Sequence, residues 1–268
     1  MNKESINTSC TFIVSSCDAY QDLWEPFFFL KNKYWPDCPF TTILISETEQ
    51  SRIPGVNVFN PGKLFSWSLM LKKTIEHSKT PYILLSMEDF FLQSTIDTNK
   101  VLSLLNYVQS NDINMLRLIP RPGPDTSTEI FTNVGTISKK ASYRVSGQAA
   151  FWKSSTILNL LDDQESLWEF EINATNRSII YDGFQSVKKP VLTYRHHVIE
   201  RGKWFPWSAF KFKKMGIGVD LKSRQIMSGF ETFRWLIHKT FTPAIVFLPE
   251  WLKKIIKPIL IKIKILKY

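Results

Sequence analysis

Apolar residues along the first 120 positions recur in two alternating rhythms. TFIVSS (11–16) is a short β-rich run ending in small polar residues and Asp18, which predicts a buried strand feeding a loop. CDAYQDLWEPFFFLKNKYW then predicts a helix start, with Trp24, Phe27, Phe28 and Leu30 on or near one face. FTTILISE (40–47) predicts a second strand. In WSLMLKKTIEHS (67–78), Leu71, Thr74, Ile75 and Ser78 share a face with Trp67, the pattern of an amphipathic helix. PYILLSM (81–87) is the next strand, entered by a proline. TNKVLSLLNYVQS (98–110) sets Val101, Leu104, Leu105 and Val108 at helical spacing, and INMLRLIP (113–120) returns to strand.

Strand and helix thus alternate through four strands, the signature of an open, mostly parallel sheet covered on both faces. Ligands of such sheets bind outside the carboxyl ends of the strands. Asp18 and the pair Glu88–Asp89 stand at those ends. Adjacent residues of an extended chain point to opposite faces, so one of the two acids is expected to face a ligand directly. Phe90 and Phe91 then turn the chain back into the core.

Farther on the pattern loosens. Residues 121–141 are rich in turn formers and predict a long loop or small hairpin over the sheet edge. Residues 143–163 predict a strand or strand pair and then a helix capped near Ser154 and Ser155. SLWEFEINATNRS (166–178) places Trp168, Glu169 and Glu171 before or within a short helix, and 187–204 reads as a strand followed by a basic loop. From about residue 231 the pattern is helical and basic.

Composition narrows the partners. The 268 residues are 44% apolar and 22% charged, so an ordinary globular core is affordable, and the 14% aromatic content is first of all core material. Net charge is +10, but residues 249–268 carry six Lys and one Glu, which is +5 of it. A chain whose basic residues are so concentrated is not expected to bind nucleic acid. In that tail Leu252, Ile255, Ile256, Ile259, Leu260 and Ile263 follow helical spacing, Trp251 precedes them, and Pro258 kinks or splits the helix. A basic amphipathic helix with a Trp predicts docking on a membrane surface. Cys10, Cys17 and Cys38 form no CxxC pair, which suggests a reducing compartment. The polar N-terminus predicts no secretory leader, and no run is long enough to cross a membrane. Neither a GxGxxG nor a GxxxxGK[ST] loop is present, which weighs against a nucleotidyltransferase on a similar sheet. A non-enzymatic membrane-associated binding module would explain the tail and the aromatics, but not acids at strand ends.

Four segments, TFIVSSCDAYQDLW, FSWSLMLKKTIEHSKTPYILLSMEDFFL, SGQAAFWKSSTIL and LWEFE, together resemble the bacterial GT-A type glycosyltransferases of surface polysaccharide synthesis. The resemblance spans roughly residues 11–205. It implies a GT-A-like α/β catalytic domain over residues 1–230, with a mostly parallel central sheet flanked by helices, and a basic amphipathic helical tail over 231–268. Enzymes of this type move a sugar from a nucleotide-sugar donor to an acceptor. Here the acceptor is expected to be a saccharide, lipid-linked, with the enzyme cytoplasmic and peripheral on the inner face of the membrane.

The same resemblance distributes roles. Ser16, Asp18 and Tyr20 would meet the nucleotide, and Gly147 and Gln148 of SGQAA would back the sugar pocket. That fold usually carries Asp-x-Asp on a metal. This chain has Met87-Glu88-Asp89-Phe90, so Asp89 fits the second position and Glu88 is its helper. Asp89 with His196 or His197 would hold Mn²⁺ or Mg²⁺. In the metal-independent alternative, Arg195, His196, His197, Arg201 and Lys203 would neutralise the leaving diphosphate. Glu169 or Glu171 would serve as the base for an inverting transfer, Glu169 being the first choice, and retention stays open.

Overall fold

The computed structural model describes residues 6, 8–51, 53–64, 66–127, 133–218 and 220–246. The chain divides into two compact units, residues 1–196 and 197–268. The first opens with β1 (Cys10–Ser15), a 3-10 turn at Asp18–Leu23 and helix α1 (Trp24–Tyr34). Strands β2 (Thr41–Ile45) and β3 (Asn57–Phe59) follow, then α2 (Trp67–Ser78), β4 (Tyr82–Met87), the short β5 (Phe91–Leu92) and α3 (Thr98–Ser110). Next come β6 (Met115–Arg117), β7 (Thr126–Ser127), β8 (Val134–Thr136) and β9 (Ala150–Lys153). Helices α4 (Ser154–Leu160) and α5 (Leu167–Arg177), then β10 (Phe184–Val187) and β11 (Tyr194–Arg195), complete the unit.

Nine of these strands make one sheet in the order β3-β2-β1-β4-β9-β6-β10-β8-β7. β1 pairs in parallel with both β2 and β4, and β6 with β10. β9 runs antiparallel between β4 and β6, and β8 antiparallel to β10. The sheet is therefore mostly parallel, as the alternation predicts, with β9 inserted at its middle. Strand–helix alternation cannot foresee that insertion, because β9 returns to the centre through the long connection after β6.

Both faces of the sheet are covered, and the strand alternation shows how. Ile13, Ile83, Leu85 and Trp152 share one cluster with Leu71 and Ile75 of α2, Ile157 of α4 and Phe170 of α5. Their neighbours in sequence turn the other way: Phe12 meets Trp35, Trp35 meets Phe40, and Phe40 meets Phe151, with ring centroids 5.9, 5.9 and 6.1 Å apart. β1 and β4 are buried along their whole length, which explains their uninterrupted apolar reading.

Local signals place the helices. Ser66 caps α2, its hydroxyl accepting from the Leu69 N–H at 3.0 Å, and Asp97 caps α3 through the Lys100 N–H at 3.0 Å. The cap expected at Ser154–Ser155 is not formed. Lys153 is the N-cap without a side-chain bond, and the Ser154 hydroxyl instead donates to the Thr80 carbonyl at 2.7 Å, tying α4 to the entry of β4.

The second unit begins with a hairpin of β12 (Ile199–Glu200) and β13 (Lys203–Trp204). Arg201 and Gly202 take φ of 52° and 73° in its two-residue turn. Helices α6 (Pro206–Lys214) and α7 (Gly229–Val246) follow. The amphipathic tail expected at 249–268 lies outside the described residues. Among the described residues no helix is long and apolar enough to cross a membrane.

Trp152 is 1% exposed on the inserted strand, its ring 5.8 Å from that of Phe184. Trp152→Ala is expected to lower stability by about 3–5 kcal/mol in urea denaturation. A loss below about 1 kcal/mol would show that β9 does not anchor the sheet centre.

Candidate functional site

A cleft of about 560 Å³ opens at the carboxyl ends of β1 and β4 within the first unit. Ser15, Ser16, Cys17 and Tyr20 line it from the end of β1, and Met87, Glu88 and Asp89 from the end of β4. One wall is the start of α2, with Ser66, Trp67 and Met70. The facing wall is Gln164 and the first turn of α5, Ser166 to Glu169.

The floor is held by hydrogen bonds between groups far apart in sequence. The indole N–H of Trp67 donates to Ser15 Oγ at 2.9 Å and that of Trp24 to Ser16 Oγ at 2.8 Å. The Glu88 N–H donates to the Ser15 carbonyl at 3.2 Å, and the Phe90 N–H closes a turn onto the Met87 carbonyl at 3.1 Å. Glu88 and Asp89 are the two central residues of that turn. The alternation rule for extended chains lapses there, so both acids line the cleft rather than one.

The second wall is equally fixed. Ser66 Oγ donates to the Asp163 carbonyl at 2.5 Å, and the Ser68 N–H to the Glu165 carbonyl at 3.1 Å. Buried Glu165 accepts from both terminal guanidinium nitrogens of Arg177, at 2.7 and 2.5 Å. These bonds join α2, the 162–166 loop and α5 into one frame.

Within that frame the two expected bases separate. Glu169 lines the cleft. It also forms a capping box with Ser166, accepting from the Ser166 N–H at 2.9 Å and hydroxyl at 2.7 Å. Those two donors, the hydroxyl first, hold its carboxyl below the usual range. Glu171 is not among the residues lining the cleft. Its Oε1 accepts the Gly147 N–H at 2.6 Å, and burial raises its carboxyl, against that hydrogen bond and the Arg117 charge. A β-carbon at Gly147 would lie 3.2 Å from Leu167 Cδ1 and 3.5 Å from Glu171 Oε1. The close approach that Gly147 permits is thus to α5.

Asp18 is absent from the cleft lining. Its carboxylate accepts from the Ser46 hydroxyl (2.6 Å), the Glu47 N–H (2.9 Å) and the Thr48 hydroxyl (2.6 Å), clasping the loop after β2 to the loop after β1. Burial opposes its ionisation, but the hydroxyls of Ser46 and Thr48 with the Thr48 and Glu49 N–H groups outweigh it and bring Asp18 down to about 2. Gln148 also serves the frame: its Oε1 accepts from the buried Tyr194 hydroxyl at 2.8 Å, and the Tyr194 oxygen accepts the Ala149 N–H at 3.2 Å. The Tyr194 ring stacks on Phe90, centroids 4.2 Å apart and planes 9° apart, and so braces the acid turn from behind.

The late basic string is divided between the units. Arg195 sits opposite Phe91 in the β11–β5 ladder. His196 lies 6.4 Å from the Phe90 ring, and neither it nor Arg195 lines the cleft. In the second unit, His197 bonds Glu200, Arg201 occupies the hairpin turn, and Lys203 Nζ donates to Glu231 at 2.7 Å. Among the described residues no three His, Cys, Asp or Glu side chains gather as a metal site. The described first-unit residues that line the cleft include four carboxylates, Glu47, Glu88, Asp89 and Glu169, and no Lys, Arg or His. Cys17 is pushed up to about 11, by burial and then by Glu88, and stays a thiol at neutral pH.

Three contributors escape sequence reading. Tyr194 looks like any strand residue, Glu47 like a strand end, and Arg117 like an interruption of an apolar run. Arg117 is 1% exposed and donates to the carbonyls of Pro122 (2.5 Å), Tyr143 (2.8 Å) and Arg144 (3.0 Å). Trp168 does carry a sequence signal, an aromatic beside two acids. It is 73% exposed at the cleft rim, whereas Trp152 is core.

Asp18 supplies a test of the clasp. Its folded pKa is depressed, so its contribution to stability is present above the unfolded value of about 4 and is lost as pH falls toward about 2. Melting temperatures of the protein and of Asp18→Asn should differ at neutral pH and converge across that window. A gap that stays constant would contradict the clasp.

No family profile matches this chain, and no curated protein sequence matches it. Among solved structures, that of S. aureus TarS 1–349 is similar, with a TM-score of 0.50 at 8% identity, covering 92% of this chain and 77% of that one. Two further structures of the same protein also match. The complex with UDP has a TM-score of 0.48 at 8% identity, and the complex with UDP-GlcNAc 0.46 at 9%, each covering 91% of this chain and 77% of that one. At such identity the likeness to TarS 1–349 is one of fold: the chain has the mixed α/β architecture of that protein, a large and mostly parallel central sheet flanked by helices.

Proposed function

We propose that the protein is a nucleotide-sugar glycosyltransferase whose donor occupies the cleft at the ends of β1 and β4. The observation that carries this reading is the turn Met87–Phe90, which sets Glu88 and Asp89 side by side at the carboxyl edge of the sheet, in a fold shared with TarS. TarS 1–349 is known in complex with UDP and with UDP-GlcNAc.

The nucleoside lies against the β1 end, where Ser16 and Tyr20 offer a hydroxyl and an aromatic ring. A diphosphate among four carboxylates is repelled unless a cation accompanies it. Two adjacent acids suit Mg²⁺ or Mn²⁺, which are commonly held by one or two carboxylates plus substrate phosphates. Glu88 and Asp89 would hold that ion; when bound, it neutralises the charge growing on the leaving diphosphate. His196 and His197 have no part in this reading.

Glu169 takes the acceptor's proton. As the acceptor hydroxyl oxygen bonds to the sugar's anomeric carbon, the bond from that carbon to the diphosphate oxygen breaks, and the hydroxyl proton passes to the Glu169 carboxylate. One displacement of this kind inverts the anomeric centre. Capping keeps Glu169 ionised and fixed in rotamer, while Glu171 holds the bend at Gly147 against α5. Trp168 at the rim offers a ring face to an acceptor saccharide. The acceptor is lipid-linked in this reading, and the protein works on the inner membrane surface, with residues 249–268 as its tail anchor.

Thermal-shift measurements against nucleotides and nucleotide sugars, including UDP and UDP-GlcNAc, should show stabilisation by a nucleotide sugar that grows with Mn²⁺ or Mg²⁺. No shift with any of them would remove the donor site. Asp89→Asn should reduce turnover by about a hundredfold or more at nearly unchanged melting temperature. Full activity in that variant would refute the assignment of the acid turn. Glu169→Gln keeps the capping box, because Gln serves at that position too. Loss of transfer with donor binding intact would identify the base; retained transfer would return the role to Glu171.

A further inference from the structure

The second unit carries a helix whose solvent side mixes exposed aromatic rings with lysines. α6 packs through Ser208, Ala209 and Phe212, all buried. On its other side Trp207, Phe210, Lys211 and Lys214 fall at i, i+3, i+4 and i+7, so they share one face. Trp207 is 67% and Phe210 64% exposed, and Lys211, Lys213 and Lys214 are exposed beside them. Single exposed apolar residues are ordinary, but two bare aromatic rings on one helix face together with three exposed lysines on the same helix are not. α7 of the same unit repeats the theme, with Phe230, Phe233 and Leu236 67%, 59% and 40% exposed at a three-residue spacing.

We propose that the α6 face is a membrane-docking surface that seats on anionic lipid headgroups. Rings and charges divide the work. Trp207 and Phe210 enter the boundary between headgroups and acyl chains, where an indole keeps its N–H among polar groups. The lysines lie along the same helix with stems long enough to reach headgroup phosphates while their methylenes cover apolar surface. Charge selects the occupant. Lys211, Lys213 and Lys214 are the charged residues of α6, which carries no Asp or Glu, so an anionic surface is attracted. Residues 249–268 carry +5 and would be repelled from the same face as an intramolecular cover. This docking face is separate from that tail in sequence. It does not rest on the reading of the cleft.

Co-sedimentation of the full chain with vesicles of phosphatidylcholine alone, and of phosphatidylcholine with about 30 mol% phosphatidylglycerol, tests it. Binding is expected to the anionic vesicles only. Trp207→Ser with Phe210→Ser, and separately Lys211→Gln with Lys213→Gln and Lys214→Gln, should each lower the partition coefficient about tenfold or more. Raising salt to about 1 M should shrink the effect of the lysine set, because the Debye length falls to about 3 Å. These side chains are exposed, so melting temperatures should hold. Unchanged partition in both variants would overturn the proposal, as would equal binding to neutral vesicles. So would a dimer in sedimentation velocity that Phe210→Ser dissociates, since the face would then belong to a second copy.

Discussion

At the centre of the sheet the pairing of β1 with β4 continues one residue beyond its ladder, where the Glu88 N–H reaches the Ser15 carbonyl. That bond stops β4 level with the end of β1 and starts the turn that sets two adjacent acids, Glu88 and Asp89, along one cleft. The surrounding frame converges on the same few atoms. Trp67 and Trp24 hold the Ser15 and Ser16 hydroxyls, Tyr194 backs the turn through Phe90, and the Asp18 clasp fixes the loops after β1 and β2.

Charge gives the cleft its character. The four charged residues among the described residues that line it are all carboxylates, while the buried cation of β6, Arg117, is turned into backbone carbonyls. Burial lowers Arg117 to about 10, so it stays protonated at neutral pH and its field still reaches Glu171 and Tyr194. Glu169 and Glu171, two residues apart, have opposite environments: the first is ionised by its cap, the second raised by burial. Of the two, only Glu169 lines the cleft.

Periodic features were legible from the chain alone. α2 and α3 begin and end where their apolar spacing and their Ser66 and Asp97 caps place them, and β4 occupies the apolar run that the acids terminate. What escaped depends on distant partners. The insertion of β9 is decided by which edges of β4 and β6 are open, which no local period records. Asp18 at a strand end reads as a ligand group until five donors of the 46–49 segment are seen around it. Glu88 and Asp89 line one cleft because strand alternation ends at Met87, where the turn begins. The reciprocal bonds of Ser166 and Glu169 follow a three-residue spacing that is visible in the sequence, but the spacing does not say that the same Glu also borders a cleft.

The proposed reaction requires that a nucleotide sugar bind at the ends of β1 and β4. Amide hydrogen exchange with and without a nucleotide sugar and Mg²⁺ examines that directly, residue by residue. Protection is predicted at residues 15–20, at the 87–90 turn and at 164–169, with the β7–β8 edge unchanged. Protection confined to other parts of the chain, or none at saturating ligand, would contradict the assignment of the cleft.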